Sequence, residues 1–470
     1  GNIKIPGDRF YRMSGDAFQI GADGGGVGMH FHVGGSEKVT FLADGKVGIG
    51  TSSPNKSLTV IGDISGTSRA VIGGCNIATG NSSSVIGGQG HLADGNRSFI
   101  GGGASNISSG SRSIVGGGCA NKTSADDSSV IGGKENKANG VRSSVIGGLS
   151  GTTSSNDSVI IGGKVGESNA DRSVVIGGQC NKAEKNDSFI GGGNTLSAAG
   201  PRSALIGGQN NITSNDDSVI VGGEKNLAKG DNSVVIGGNT LSACNSDSVI
   251  VGGQGNEVTS LRSTIIGGQN NTTSLNGNRS FIGGGQCNTT SGDESTVVGG
   301  CNNVASGDET TVAGGNCNIA SGSQATIAGG FRNLASAQRT NIIGGHSNIA
   351  STIDSNIIGG YLTRATGTRS TAIGGYQLSA TNESTLAAGG LRNIASGDQS
   401  TVIGGEDNTA SGGESFVGGG KCNVASACLS FVGGGEDNIN CGVNSAILAG
   451  DDNLITVAGT CSIILGRNIT

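Results

Sequence analysis

A pair of glycines preceded by small β-branched residues returns every 15 residues along most of the chain. The pairs keep this spacing from Gly87 to Gly267 and again from Gly284 to the position of Ala449. The one break between these blocks is a two-residue insertion near Leu275. About 27 copies are present when degenerate ones at the ends are included, and self-similarity this strict is typical of a solenoid. We therefore predict an all-β fold in which each repeat forms one coil stacked on the previous coil.

The composition agrees with a solenoid and excludes several other classes. Glycine accounts for 93 of 470 residues and tryptophan is absent, so a conventional globular core is not available. Three prolines and the lack of a three-residue period exclude collagen, and Val and Ile at a fixed phase argue against disorder. The net charge of −6 is evenly spread, so we expect no nucleic-acid partner. No apolar run is long enough for membrane insertion.

The repeat at residues 218–232, SVIVGGEKNLAKGDN, is representative, and we number its positions from 1 at Ser218. Positions 1–4 predict a short strand, because Val219, Ile220 and Val221 are β-branched and apolar. The glycine pair turns the chain, positions 9–11 predict a second short strand, and Gly, Ser, Asp or Asn residues close the coil. Coils of this kind pair in parallel about 4.8 Å apart, which gives a flattened rod about 130 Å long.

Two positions of the first strand vary together. Where position 2 is Phe, position 4 is Gly; elsewhere position 2 is usually Ser, Thr or Val and position 4 is Ile, Val or Ala. Residues two apart share one face of a strand, so this volume compensation predicts that the face is packed. The pairs are Phe99 with Gly101, Phe189 with Gly191, Phe281 with Gly283, Phe416 with Gly418, and Phe431 with Gly433.

Position 3 is also apolar, as at Ile190 and Ile220, and it points to the opposite face. Both faces of the strand are then expected to be buried, although a coil of 15 residues has one interior only. A second chain must cover the other face. We predict a homotrimer, because closed cyclic symmetry buries one stripe per chain without leaving it open to aggregation.

Further positions form columns along the predicted rod. Position 15 alternates mostly between Arg and Asp, which favours a role in holding coil register over a carbohydrate or anion track. Position 9 is Asn in most coils, and it can be a stacked amide ladder or a turn residue tolerant of positive φ. The 11 cysteines follow the repeat and form no CxxC motif, which favours free thiols. The alternative is disulfide pairing between adjacent coils, of Cys287 with Cys301 or of Cys428 with Cys441.

The sequence contains no constellation that predicts catalysis and no cofactor-binding motif. The one candidate metal site is at His30 and His32, whose strand spacing places both imidazoles on one side. Three chains would bring six imidazoles to one axis, an arrangement suited to a structural transition metal. The alternative is a surface strand with polar alternation.

The pattern SVIGGxxNxASGxxS resembles the head repeats of trimeric autotransporter adhesins. Asn303-Val-Ala-Ser-Gly, Asn318-Ile-Ala-Ser-Gly and Asn393-Ile-Ala-Ser-Gly match it well. The resemblance covers about residues 69–470 and implies a left-handed parallel β-roll trimer. Similar repeats occur in fibres of phages and large viruses. Residues 35–64 also look like a segment common in viral tail fibres, where it often stands before a shaft.

These patterns predict two domains: residues 1–68 as a β-rich connector to other fibre proteins and residues 69–470 as the trimeric β-roll. The sequence lacks the coiled-coil stalk and membrane anchor of an autotransporter, and a processed or partial viral fibre is the simpler expectation. We therefore predict a non-enzymatic structural protein on a virion surface that presents or contacts host-surface ligands, either a receptor or a glycan. The alternatives are a bacterial surface adhesin and, from other classes, an ice-binding solenoid or a polysaccharide-cleaving tailspike.

Overall fold

In the computed structural model, the 15-residue period builds two parallel sheets from residue 70 onward. The structure describes residues 29–33, 36–42, 44–51, 53, 58–60 and 70–469, and of residues 29–38 and 58–60 it describes the backbone only. The chain divides into two units, residues 1–68 and residues 69–470. The described residues contain no helix.

The first unit contains a four-stranded mixed sheet. Its strands are β1 (Met29–Val33), β2 (Ser36–Phe41), β3 (Val47–Ile49) and β4 (Leu58–Val60). The first three pair in antiparallel fashion, and β3 pairs in parallel with β4.

The second unit is a parallel β-solenoid of about 26 coils, as the sequence predicts. Strands are numbered in chain order, so that the first strand of each coil takes an odd number and the second an even number. Sheet 1 consists of β5 (Ala70–Gly74), β7 (Ser84–Gln89), β9 (Phe99–Ile100), β11 (Ile114–Val115), β13 (Ser129–Val130), β15 (Ser144–Ile146), β17 (Val159–Ile161), β19 (Val174–Ile176), β21 (Phe189–Gly191), β23 (Ala204–Ile206), β25 (Val219–Val221), β27 (Val234–Ile236), β29 (Val249–Val251), β31 (Thr264–Ile266), β33 (Phe281–Ile282), β35 (Thr296–Val297), β37 (Thr311–Val312), β39 (Thr326–Ile327), β41 (Asn341–Ile342), β43 (Asn356–Ile358), β45 (Thr371–Ile373), β47 (Leu386–Ala388), β49 (Thr401–Ile403), β51 (Phe416–Val417), β53 (Phe431–Val432), β55 (Ala446–Ile447) and β57 (Ile463–Ile464). Sheet 2 consists of β6 (Ile77–Ala78), β8 (Leu92–Ala93), β10 (Ile107–Ser108), β12 (Lys122–Thr123), β14 (Lys137–Ala138), β16 (Thr152–Thr153), β18 (Glu167–Ser168), β20 (Lys182–Ala183), β22 (Ser197–Ala198), β24 (Ile212–Thr213), β26 (Leu227–Ala228), β28 (Ser242–Ala243), β30 (Glu257–Val258), β32 (Thr272–Thr273), β34 (Thr289–Thr290), β36 (Val304–Ala305), β38 (Ile319–Ala320), β40 (Leu334–Ala335), β42 (Ile349–Ala350), β44 (Arg364–Ala365), β46 (Ser379–Ala380), β48 (Ile394–Ala395), β50 (Thr409–Ala410), β52 (Val424–Ala425), β54 (Ile439–Asn440) and β56 (Leu454–Ile455).

Pairing in both sheets follows the 15-residue spacing. Ile220 pairs with Val235 in sheet 1, and Ala228 pairs with Ala243 in sheet 2. Position 7 adds a third row of single parallel bridges between neighbouring coils, which we call the bridge row. The two-residue insertion lies in the turn that contains Leu275, and pairing resumes directly after it. An insertion in a closing turn therefore leaves the stacking of the strands intact.

The interior of each coil is narrow. In the representative coil, Ile220 at position 3 and Ala228 at position 11 are fully buried and face one another across the coil, while Val219 and Val221 point outward. Large residues thus come from sheet 1 and alanine mostly from sheet 2, which gives the flattened shape. Burying a Val or Ile side chain contributes about 1.5–3 kcal/mol, so position 3 is the main hydrophobic stabilisation of each coil.

The Asn column at position 9 is a buried amide ladder. Asn303 Nδ2 donates to the carbonyl oxygens of Gly299 and Gly315, at 3.0 and 2.9 Å. Its Oδ1 accepts from the backbone N–H of Asn318 at 3.0 Å. Each amide therefore satisfies buried backbone groups in its own coil and in the next. His91 occupies this column in one coil, where its Nδ1 accepts from the N–H of Asn106 at 3.0 Å, so it lies inside the solenoid and not beside a turn.

The positive-φ residues other than glycine are at positions 8 and 15, not at the Asn column. Lys225 and Asn232 have φ of 57° and 55° and occupy the left-handed region without being glycine. Their N–H groups donate back to the preceding coil, at 2.9 Å to Gln209 O and 3.0 Å to Asp216 O, whereas strand N–H groups donate forward. These bonds offset the strain of about 1–2 kcal/mol that a left-handed L-residue carries.

Candidate functional site

An exposed apolar stripe runs along the outer face of sheet 1. It is formed by position 4, where the Ile side chains are 37–58% exposed, as at Ile373 and Ile343. Position 2 lies beside it on the same face and is mostly half-buried. The stripe consists of Ile72, Ile86, Ile131, Ile146, Ile161, Ile176, Ile206, Val221, Ile236, Ile266, Val298, Ile343, Ile358, Ile373, Ile403 and Leu448. Contiguous apolar surface of this extent marks an interaction surface more often than a solvated one.

The Phe–Gly pairs share this face, as the sequence predicts, but one chain alone explains them. An added Cβ at Gly191 would lie 3.1 Å from Cε1 of Phe189, and Gly283, Gly418 and Gly433 have the same relation to their own Phe, at 3.2–3.3 Å. Each ring thus lies over the glycine two residues further on. The inference that compensation requires a surface packed against this face is therefore wrong. Only the exposed stripe itself points to a partner.

The charged column at position 15 forms ion pairs between neighbouring coils. Arg202 Nε donates to Asp217 Oδ1 at 2.7 Å and Nη2 to Oδ2 at 2.8 Å, and both residues have positive φ. The same two-pronged geometry occurs in Arg112–Asp127, Arg142–Asp157, Arg172–Asp187 and Arg339–Asp354. Hydrogen bonding to the guanidinium holds the pKa of Asp217 below its ordinary value. The ion pairs are exposed, so they contribute more to the alignment of neighbouring coils than to the free energy of folding.

Four consecutive coils carry an aromatic residue at position 7, in the bridge row, and the repeat consensus did not indicate them. We call these four residues the aromatic row. Phe331, His346, Tyr361 and Tyr376 follow one another in successive coils with ring centroids 4.6–5.1 Å apart; the last three rings are stacked, and the first pair is tilted by 31°. Tyr361 and Tyr376 are exposed, and the guanidinium of Arg332 lies 4.8 Å above the ring of Phe331. The signal in the sequence is four aromatic residues at 15-residue spacing, which a search for catalytic motifs passes over.

A groove lies beside this row on the outer face of sheet 2. It has a volume of about 480 Å³, and its lining includes Ile319, Leu334, Ile349 and Leu362 together with Arg332 and Arg364. Arg332 therefore belongs both to the groove and to the edge of the aromatic row. The combination of an aliphatic floor with two guanidinium groups distinguishes this part of the rod.

The metal hypothesis for His30 and His32 is not tested by the structure. Both residues lie in β1, opposite Thr40 and Glu37 of β2, but their side chains lie outside the described residues, so the hypothesis stays a prediction. Elsewhere in the described chain, the carboxylates of Asp437, Asp451 and Asp452 approach within 4.8 Å of one another. One of them is paired with Arg467 at 2.7 Å, and we assign no metal to the group.

All 11 cysteines are free thiols in the structure, including those on adjacent coils. Cys441 accepts a hydrogen bond from the hydroxyl of Ser426 at 3.2 Å. Burial is the main cause of the raised pKa of Cys422, and Asp437 and Asp407 add to it. A thiol with a raised pKa is a weak nucleophile at neutral pH.

Comparison with known protein families and with curated proteins finds no match to this chain. Among the residues that the structure describes, no helix has the length and apolar character needed to cross a bilayer.

Proposed function

We propose that this chain is a non-enzymatic fibre protein that assembles as a homotrimer and contacts ligands at a host surface, as part of a virion. The observation that carries the proposal is the exposed apolar stripe. It follows the outer face of sheet 1 through most of the coils and leaves Ile side chains in water. The β-roll trimers that the repeat pattern resembles would explain such a stripe.

The physical argument for a closed assembly is the length and regularity of the stripe, and the number three comes from the resemblance to β-roll trimers. Its members recur at the coil spacing of about 4.8 Å, so any partner must follow the rod for many coils. A second copy of the same chain has the same spacing and can match it coil for coil. A cyclic assembly covers every stripe, whereas an open arrangement leaves one exposed and prone to aggregation.

Sedimentation of the purified chain tests the assembly. We expect about three times the chain mass of 45.8 kDa. Replacing Ile206 and Ile236 with Lys should shift the mass toward that of a monomer, because charges would be buried between chains. Ile212→Lys is the matched control, since Ile212 is exposed to a similar degree but lies on sheet 2. A stable wild-type monomer with the circular dichroism of an intact solenoid would refute the trimer.

The biological setting is tested separately. Virion genes beside the coding sequence would support the viral fibre, whereas secretion genes would support the bacterial adhesin. Neither result bears on the trimer, which is proposed on the basis of the stripe.

A further inference from the structure

We infer that the groove on sheet 2 between residues 317 and 364 is a binding site for an acidic saccharide. This inference rests on the proposed role in surface contact and assigns it to particular coils. Of the five arginines between residues 332 and 392, Arg339, Arg369 and Arg392 form ion pairs with carboxylates. Arg332 and Arg364 form none within the described chain, and both line the groove.

Two unpaired guanidinium groups are unusual on a chain with net charge −6. Arg332 is held by the ring of Phe331, with its guanidinium carbon 4.8 Å from the ring centroid. Such a contact fixes the plane of the guanidinium and leaves its N–H donors available. A planar fork of donors matches a carboxylate in two-pronged geometry. The ligand that complements these groups is therefore an anion.

The floor of the groove selects among anions. Ile319 and Leu362 are exposed, and Leu334 and Ile349 are half-buried, so a ligand meets mainly aliphatic carbon between the two charges. The lining spans four coils, or about 14 Å along the rod at the parallel-strand spacing. A free inorganic anion is too short to span the groove and makes no favourable contact with its apolar floor. A short oligosaccharide places the C–H faces of its rings on such a floor and its carboxylates at the rim.

Other elongated anions fit less well. A peptide would bind most readily by adding a strand, but every strand at the groove is already paired on both sides, as β40 is with β38 and β42. A nucleic acid would require a continuous basic track, and two arginines do not provide one. The sugar acid is the class that uses both the charge and the floor.

The test is calorimetric titration of the full-length chain at low ionic strength. The probes are tetragalacturonate, a hyaluronan hexasaccharide and 3′-sialyllactose, with maltotetraose, hexaglutamate and inorganic phosphate as comparisons. We expect saturable binding of at least one acidic saccharide, no binding of maltotetraose, and weaker binding at higher salt. Arg332→Ala and Arg364→Ala should each weaken binding about tenfold or more, the scale of a lost charge-assisted hydrogen bond.

Arg97→Ala is the control, because Arg97 is an exposed arginine without an ion pair in the described chain but lies on the opposite corner of a distant coil. It should leave affinity unchanged. The inference is overturned if no acidic saccharide binds, if hexaglutamate or phosphate binds equally well, or if the two groove variants bind like wild type. Sedimentation of the same sample separates the outcomes: a trimer that binds no saccharide refutes this site alone and leaves the proposed assembly intact.

Discussion

Replacing Gly191 by isoleucine while keeping Phe189 should destabilise one coil by about 0.8–1.5 kcal/mol. A Cβ at position 191 would lie 3.1 Å from the phenyl Cε1, closer than ordinary contact, so the ring must move. The backbone adds no penalty, because Gly191 is outside the positive-φ region. Full burial of a Phe is worth about 1.5–3 kcal/mol. Phe189 is half-buried, so a ring displaced into water loses about half of that, near the lower end of the cost of overpacking.

Hydrogen exchange followed by mass spectrometry is the suitable assay, because a long repeat array opens locally. Exchange in the peptide that contains Phe189 should accelerate in Gly191→Ile and recover most of its protection in the double variant Phe189→Ser/Gly191→Ile. Ala313→Ile is the control, since position 2 of its coil is Thr311, and its effect should stay within about 0.5 kcal/mol. A double variant that exchanges as fast as Gly191→Ile alone would show that the ring and the new side chain do not compete for one space.

Three further outcomes follow from the coil geometry. Gly166→Ala should stabilise the solenoid by about 0.4–1 kcal/mol, since the added Cβ would meet only methyl carbons at 3.5–3.9 Å. Gly163→Ala should destabilise it, because φ at this residue is +82° and the added Cβ would lie 2.8 Å from a carbonyl oxygen. Denaturation curves that fail to separate these two variants would contradict the backbone assignment. Asn226→Ala should cost about 1–3 kcal/mol, measured by local exchange, because buried carbonyls lose their donor; unchanged protection would rule out the amide ladder. Since the folded pKa of Asp217 lies below its ordinary 3.8, the stabilisation from its pair is present above that pH and lost as pH falls through the folded pKa. Arg202→Ala should therefore flatten the acid-unfolding profile below pH 3.8, and an unchanged profile would show that the pair contributes nothing to folding.

The repeat itself was sufficient to predict the solenoid. Each coil contributes residues to the same positions, so a fixed period specifies which residues stack, and parallel pairing at 15-residue intervals follows from it. The face that Phe189 and Gly191 share also follows from the sequence alone, because alternation along a strand is a local property of the backbone. No information from distant parts of the chain is needed for either inference.

The role of the Asn column could not be settled in that way. A buried ladder and a turn with positive φ place asparagine at the same point of the repeat. The structure distinguishes these two roles: the side chain of Asn303 donates to backbone carbonyls of two coils, and the residue with positive φ is the preceding one, Asn302. The direction of a side chain at a corner depends on how the whole coil closes. For the Phe–Gly pairs, the sequence predicted the compensation in volume, and the structure shows that the ring itself contacts the glycine two residues beyond it.

For the candidate sites, too, the sequence predicted one part and the tertiary structure decided the other. The period placed apolar residues on both faces of the first strand, but only the folded coil shows that position 3 is interior and that position 4 lies in water. The groove depends on the tertiary structure entirely, since Arg332 and Arg364 are 32 residues apart and occupy different positions of the repeat. Periodicity states which residues are equivalent. Which of these residues meet at one surface is decided by the stacking of the coils and by the turns that connect the two strands of each coil.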